Sequence, residues 1–164
     1  MKRCNKKRDG RNIKKVKQDY IIDGTKKQVN QKENPDSYNT YNVIFQFKRI
    51  DKGGPWAFNK EKCGMDFWDK VLPKINDIEK MTWNEVLVVN KKKNHSIEID
   101  QLNKCAQDRL KVLKIYDDEI CSLRIEGKIR LYGLRDKEKF NILWYDDNHG
   151  DNDSCVCRSR KKYT

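Results

Sequence analysis

Three short apolar runs within residues 121–149 constrain the fold of this chain more than any other feature. In the first two runs, every second residue is apolar: Leu123, Ile125, Ile129 and Leu131 alternate with Arg124, Lys128, Arg130 and Tyr132. This period of two is typical of strands with one buried face. The third run, residues 140–145, is more continuously apolar, which predicts an interior strand. Because the links between the runs are too short for a crossover helix, the three runs predict an antiparallel meander.

A further strand is predicted upstream of the meander. Residues 41–50 are rich in aromatic and β-branched side chains, which favour strands. We therefore expect an α+β domain over residues 35–150, in which residues 41–50 and 120–146 form an antiparallel sheet packed on two or three helices.

Two segments have the spacing of amphipathic helices. Residues 66–80 carry apolar side chains at helical intervals, and Pro73 within them is expected to kink the helix or to start a second segment. Residues 101–113 are preceded by Asp100, a good N-cap. Their predicted apolar stripe consists of Leu102, Cys105, Ala106, Leu110 and Leu113.

The two ends of the chain are basic and polar. Residues 1–34 are predicted to form a flexible basic arm, and residues 151–164 a basic tail. No apolar run is long enough to span a membrane, and no apolar stretch of a signal peptide follows the basic start of the chain. We therefore expect a cytoplasmic protein with six reduced cysteines.

The charge of the chain favours a polyanionic partner. The sequence has 37 Lys and Arg against 25 Asp and Glu, a formal net charge of +12. Such a field attracts phosphate backbones, so we expect RNA or another nucleic acid as partner; a merely lysine-rich soluble surface is the alternative. The candidate phosphate-gripping residues are Arg109, Lys128, Arg135, Arg158, Arg160, Lys161 and Lys162.

Most familiar catalytic and metal-binding patterns are missing from the sequence. Cys155 and Cys157 lie near His149, but structural zinc sites usually have two to four residues between paired cysteines. No glycine-rich phosphate loop and no nucleophile elbow is recognisable. We therefore expect neither a metal site nor a cofactor.

A metal-independent phosphodiester site remains. RNA carries its own nucleophile, the 2′-hydroxyl, so its cleavage needs an acid or base, cations near phosphorus and a donor for the leaving oxygen. His95 and His149 can titrate near neutral pH, and Arg124, Arg130 and Arg135 can donate paired hydrogen bonds to phosphate. The alternatives stay open: each arginine could be a solvated strand residue, and each histidine an ordinary loop or turn residue.

The order of one strand, helices and then a three-stranded meander resembles the RelE/ParE-type toxin fold. The segment SLRIEGKIRLYG is similar to the paired, arginine-bearing strands of that family, which places Arg124 and Arg130 at its phosphate-binding positions. Tyr145 and His149 resemble its C-terminal aromatic or histidine. The chain departs from the family in its basic arm, an insertion at residues 83–99 and its Cys/Arg/Lys tail. Its ending, LWYDDNH…KKYT, also resembles small bacterial and phage proteins.

The resemblance implies mRNA cleavage without metal and an acidic antitoxin as partner, although some members of this fold poison gyrase instead. In this interpretation His149 is the acid or base, His95 a second candidate, and Tyr145 positions or stacks a base. We therefore predict a toxin-like, metal-independent endoribonuclease. The alternatives are a non-catalytic nucleic-acid-binding protein, and an inhibitor or host-interaction factor that binds an acidic protein.

Overall fold

The computed structural model of the protein describes residues 38–150 and 156–157. These residues form a mixed α+β structure around one five-stranded sheet. The predicted arm and almost all of the predicted tail lie outside the described residues. The strands are β1 (Ile44–Gln46), β2 (His95–Glu98), β3 (Glu119–Arg124), β4 (Arg130–Asp136) and β5 (Lys139–Asp146), in the spatial order β1-β5-β4-β3-β2.

The predicted meander is confirmed, since β3, β4 and β5 pair antiparallel in sequence order and β5 is an interior strand. The expectation of a wholly antiparallel sheet is wrong. β1 pairs parallel with β5, with Ile44 opposite Lys139. Parallel neighbours need a long connection, and the helices and strands between β1 and β5 supply it. The sheet is therefore mixed.

A β-bulge interrupts the pairing of β4 with β5. Tyr132 is opposite Trp144 but Gly133 is opposite Ile142, so Leu143 is an extra residue on β5. As a result, Leu143 and Trp144 contribute to the same core cluster although they are consecutive. A bulge of this kind shifts the alternation of every side chain that follows it.

Both faces of the sheet are buried, which corrects the expectation that one face is polar and open. The cluster on the first face includes Val71, Ile75, Trp83, Leu123, Leu131 and Phe140. The cluster on the second face includes Ala106, Leu110, Ile120, Tyr132, Leu143 and Trp144. The sheet is thus the middle layer of three, because helical segments cover both of its sides.

The predicted helix over residues 66–80 is confirmed in outline. A π-helical segment, Phe67–Val71, leads into helix α2 (Leu72–Glu79), and Pro73 is at the second position of α2, where its missing N–H costs little. Helix α1 (Lys60–Cys63) precedes them, and a second π-helical segment, Glu85–Val89, follows. None of the helices in the described residues is both long and apolar enough to cross a membrane.

Helix α3 (Lys104–Val112) begins later than the sequence predicts. Its N-cap is Asn103, whose side-chain oxygen accepts a hydrogen bond of 2.7 Å from the N–H of Ala106, and not Asp100, which lies in the 3₁₀ turn Ile99–Gln101. Leu102 is buried in an extended conformation and forms a bridge with Cys157, so the helix cannot include it. Cys105 is exposed and does not belong to the predicted stripe.

Replacing Gly133 by alanine is expected to lower the free energy of unfolding by about 1–3 kcal/mol. An added Cβ would lie 2.5 Å from the carbonyl oxygen of Asn141 and 2.6 Å from the ring of Phe140, so the bulge would have to shift. Urea unfolding measures the difference. The matched control is Gly127→Ala, at which a Cβ meets nothing within 4 Å and only the positive φ of 48° is strained. An equal loss for both variants would contradict the steric explanation.

Candidate active site

The hairpin of β3 and β4 brings two arginines together at one end of the sheet. Arg124 is directly opposite Arg130, and Arg130 is in turn opposite Asp146 of β5. His95 begins the edge strand β2, opposite Ser122. By the alternation of their strands, all these side chains are on the second face of the sheet, beyond Tyr132. The end of this face is therefore strongly basic.

His149 completes this group from the segment that follows β5. Its backbone N–H donates to the carbonyl of Lys128 over 3.3 Å. Its ring nitrogen Nδ1 is 3.1 Å from the phenol oxygen of Tyr132, which is itself 3.2 Å from Sγ of Cys157. Tyr132 is fully buried, so the imidazole is held by a rigid support. We call His95, Arg124, Arg130 and His149 the basic cluster.

The other three members of the basic cluster act electrostatically on His149. Burial lowers the pKa of His149, and the positive charges of Arg130, His95 and Arg124 lower it further. The imidazole is therefore mostly neutral at neutral pH, as a general base must be. An anion bound among these groups would reverse part of this effect, since it favours the protonated form.

Arg130 is the most deeply buried member of the basic cluster. Its Nη1 donates to the carbonyl oxygens of Gly127 and Ile129, both over 2.9 Å, which fixes the guanidinium beneath the turn between β3 and β4. Burial lowers the pKa of Arg130, and the neighbouring Arg124 adds to this. Asp146 beside it is fully buried, and burial raises the pKa of its carboxyl. Burial and the nearby Arg124 both favour an anionic partner for Arg130.

Two residues that organise this site were absent from the predictions made on the sequence. One is Tyr132, assigned there only to the strand pattern. The other is Asn94, whose side-chain amide donates to the carbonyl of Val86 over 3.2 Å while its oxygen accepts from the N–H of Arg124 over 2.9 Å. Asn94 thereby joins the loop before His95 to the end of β3. No local pattern could have indicated it, since its partners lie elsewhere in the chain.

Tyr145 is not part of the site, which corrects the expectation that it positions or stacks a base. It is 2% exposed, packs in the core of the first face and donates to Asp66 over 3.3 Å. Burial raises the pKa of its phenol. The physical reason is the bulge at Leu143, which turns Tyr145 away and puts Trp144 on the face of Tyr132.

Arg135 is also remote from His149, at the other end of β4. Its guanidinium donates to the side-chain oxygen of Asn39 over 2.7 Å and lies 4.5 Å from the ring centre of Trp83. Like Tyr145, it belongs to a different part of the structure from the basic cluster. The expectation that it joins Arg124 and Arg130 around one phosphate is therefore wrong.

The remaining predicted phosphate-binding residues lie outside the basic cluster or outside the described residues. Arg109 is held by two hydrogen bonds to the buried carboxylate of Asp51, of 2.8 Å and 2.7 Å. Lys128 is exposed in the turn beside the basic cluster. Arg158, Arg160, Lys161 and Lys162 lie outside the described residues. Within residues 38–150 and 156–157, no three His, Cys, Asp or Glu side chains are grouped so that they could hold a metal ion.

Comparison with known proteins adds no relative: no family model, no curated protein and no solved structure matches the chain.

Proposed function

We propose that the protein is a metal-independent endoribonuclease whose catalytic groups are His149, His95, Arg124 and Arg130. One observation carries the proposal: a buried phenol holds the His149 imidazole at the same end of the sheet as two arginines and a second histidine. Two titratable groups and two cations in one place are what transesterification of RNA requires.

The hydrogen bonds of Tyr132 are consistent with a basic His149. If the phenol O–H donates to Cys157, the phenol oxygen accepts from Nδ1–H of the imidazole, and Nε2 keeps its lone pair. The opposite order, in which the phenol donates to Nδ1, would place the proton on Nε2. We assign the first arrangement, in which Tyr132 and Cys157 are positioning residues.

The proposed reaction is an intramolecular transfer. Nε2 of His149 takes the proton of the RNA 2′-hydroxyl, and that oxygen attacks phosphorus. The bond from phosphorus to the 5′ oxygen breaks, and the protonated form of His95 gives its proton to the leaving oxygen. Arg124 and Arg130 stabilise the charge that builds up on the phosphoryl oxygens. The products are a 2′,3′-cyclic phosphate and a 5′-hydroxyl.

We propose a toxin-like role of the RelE/ParE type, with an acidic antitoxin-like protein as partner. The meander that follows the helices, and the positions of Arg124 and Arg130 in it, support this proposal. The net charge of +12 favours an acidic partner. The parallel pairing of β1 and the helix layer on the second face are differences from the simple pattern that the sequence suggests.

The test is cleavage of single-stranded RNA in the presence of EDTA. An RNA with one cleavage site is compared with the same RNA carrying a 2′-deoxy substitution at that site. We expect the first to yield a cyclic phosphate end and the second to resist, because it lacks the nucleophile. Equal cleavage of both would contradict the mechanism. Salt-sensitive binding without cleavage would leave a nucleic-acid-binding protein, and no binding would favour a protein-interaction role.

A further inference from the structure

A cavity of about 290 Å³ opens against the segment that leads to His149, since Asp147 and Asn148 line it. Its size is just below the roughly 300–1,000 Å³ of sites for drug-sized ligands, so it suits one small group. Its apolar wall is formed by Pro55 and Trp56, and its polar groups come from Lys62, Asn103, Asp147 and Asn148.

The cavity and the basic cluster share their structural supports. Asn148 on the cavity wall directly precedes His149. Asn103 donates its backbone N–H to the carbonyl of Val156 over 2.9 Å, and the next residue, Cys157, contacts Tyr132. The segment Val156 and Cys157 therefore connects a residue of the cavity wall with Tyr132, which contacts the imidazole. A group bound in the cavity would lie against Asn148, one residue away from His149.

The polar groups of the cavity have the pattern of a base-recognition site. Asp147 presents a carboxylate, of which Oδ1 accepts a 2.8 Å hydrogen bond from the side chain of Asn148. A carboxylate has two oxygens and can accept several more bonds. Lys62 adds a donor with positive charge. Pro55 offers an exposed apolar surface for the face of a base, whereas Trp56 is buried against Trp144. Polar groups that bond to the base edge are a usual means of reading an unpaired RNA base.

Guanine is the base that matches this set. Its pairing edge presents two adjacent donors, N1–H and N2–H, which a carboxylate can receive together, and an acceptor, O6, for a lysine. Adenine, cytosine and uracil do not present two adjacent donors on that edge. We propose that the cavity is a guanine subsite, and that it directs the basic cluster to the phosphate beside a guanine. This rests on the proposed function for its biological meaning, but base binding itself requires no cleavage.

The first experiment titrates the full chain with GMP, AMP, CMP and UMP and follows Trp fluorescence. All four share the phosphate, so only the base differs. We expect GMP to bind at least about tenfold more tightly, because the wrong bases leave the carboxylate or the lysine unsatisfied. Asp147→Asn should remove this preference, whereas the matched control Asp117→Asn, at an exposed position outside the cavity, should keep it. Equal affinities for the four, or a preference that survives Asp147→Asn, would overturn the proposal.

Cys105 gives a second and independent measurement. Its thiol is exposed and lines the cavity. We expect GMP to slow its alkylation, followed by mass spectrometry, while UMP at the same concentration does not. No selective protection would overturn the proposal. The two proposals also fail separately: selective GMP binding without RNA cleavage keeps the subsite and removes the nuclease, and cleavage without base preference does the reverse.

Discussion

Replacing His149 by alanine is expected to lower kcat for RNA cleavage by about 10²–10⁴-fold, the usual contribution of a general base. RNA affinity should change little, because Arg124 and Arg130 still bind the phosphate. Burial and the neighbouring positive charges lower the pKa of His149 from its ordinary value of 6.5. In the free protein the base should therefore become protonated only below pH 6.5, so kcat/KM should hold as the pH falls to 6.5 and decline below that value. Single-turnover rates across pH measure both effects.

Two other single substitutions of the same protein serve as controls for His149→Ala. Tyr145→Phe removes a buried hydroxyl on the opposite face, with its bond to Asp66, and should cleave at the wild-type rate. Arg124→Gln removes one of the charges that lower the pKa of His149, so the acidic limb of its pH profile should move upward. A His149→Ala protein with a wild-type thermal transition and an undiminished rate would exclude the proposed base.

Replacing Asp51 by asparagine is expected to lower the free energy of unfolding by about 2–4 kcal/mol. Its carboxylate is buried and receives hydrogen bonds from Arg109, from the indole of Trp144 over 3.0 Å and from the N–H of Gly53 over 3.0 Å. The amide cannot accept them all and leaves a guanidinium unpaired. Breaking a buried ion pair costs about 3–5 kcal/mol; we expect somewhat less because the Arg109 side chain is 26% exposed.

The pH dependence of this effect follows from the pKa of Asp51. Burial alone would raise it, but the hydrogen bonds from Arg109, Gly53 and Trp144 outweigh burial and hold the pKa below its ordinary value of 3.8. A lowered pKa in the folded state stabilises the protein above that value, and the contribution disappears as the pH falls through and below it. The free energies of unfolding of the wild type and of Asp51→Asn should therefore become equal in strong acid.

The matched control for Asp51 is Asp77→Asn. Asp77 pairs with Lys80 on the surface, where both side chains are mostly exposed. Such pairs contribute little, so the change should stay within about 0.5 kcal/mol. Urea unfolding compares the two variants, and equal m-values show that only their stability differs. A loss at Asp51 no larger than that at Asp77 would contradict the role given to this network.

Local patterns predicted those parts of the fold that depend on near neighbours in the chain. The alternation around Arg124 and Arg130 is sufficient to predict a hairpin, and the short turn between them places the two side chains together. The parallel pairing of β1 could not be predicted in this way, because it joins segments far apart in the chain. Nor could the burial of Tyr132, which depends on helix α3 covering the second face.

Among the predicted site residues, Tyr145 is the one whose orientation the bulge changes. His95, Arg124 and Arg130 come together because strand register determines their face and end, and His149 joins them through the hydrogen bonds of the segment that follows β5. Tyr145 does not, since one extra residue two positions earlier reverses its direction. The only sign of the bulge in the sequence is Gly133, a small residue among larger ones. The structure explains it, because the ring of Phe140 packs where a Cβ would be.

Leu143, the extra residue of the bulge, makes the registers of the two halves of the β4–β5 ladder independent of each other. Pairing from Gly133 to Asp136 is set by the tight turn at Lys137, whereas pairing from Arg130 to Tyr132 is set by Trp144, Tyr145 and Asp146. We expect a change in the length of that turn to shift the pairing up to Leu143 and to leave Tyr132 beside the imidazole. The hairpin tip would then vary in length while the basic cluster at the opposite end of the strands keeps its position.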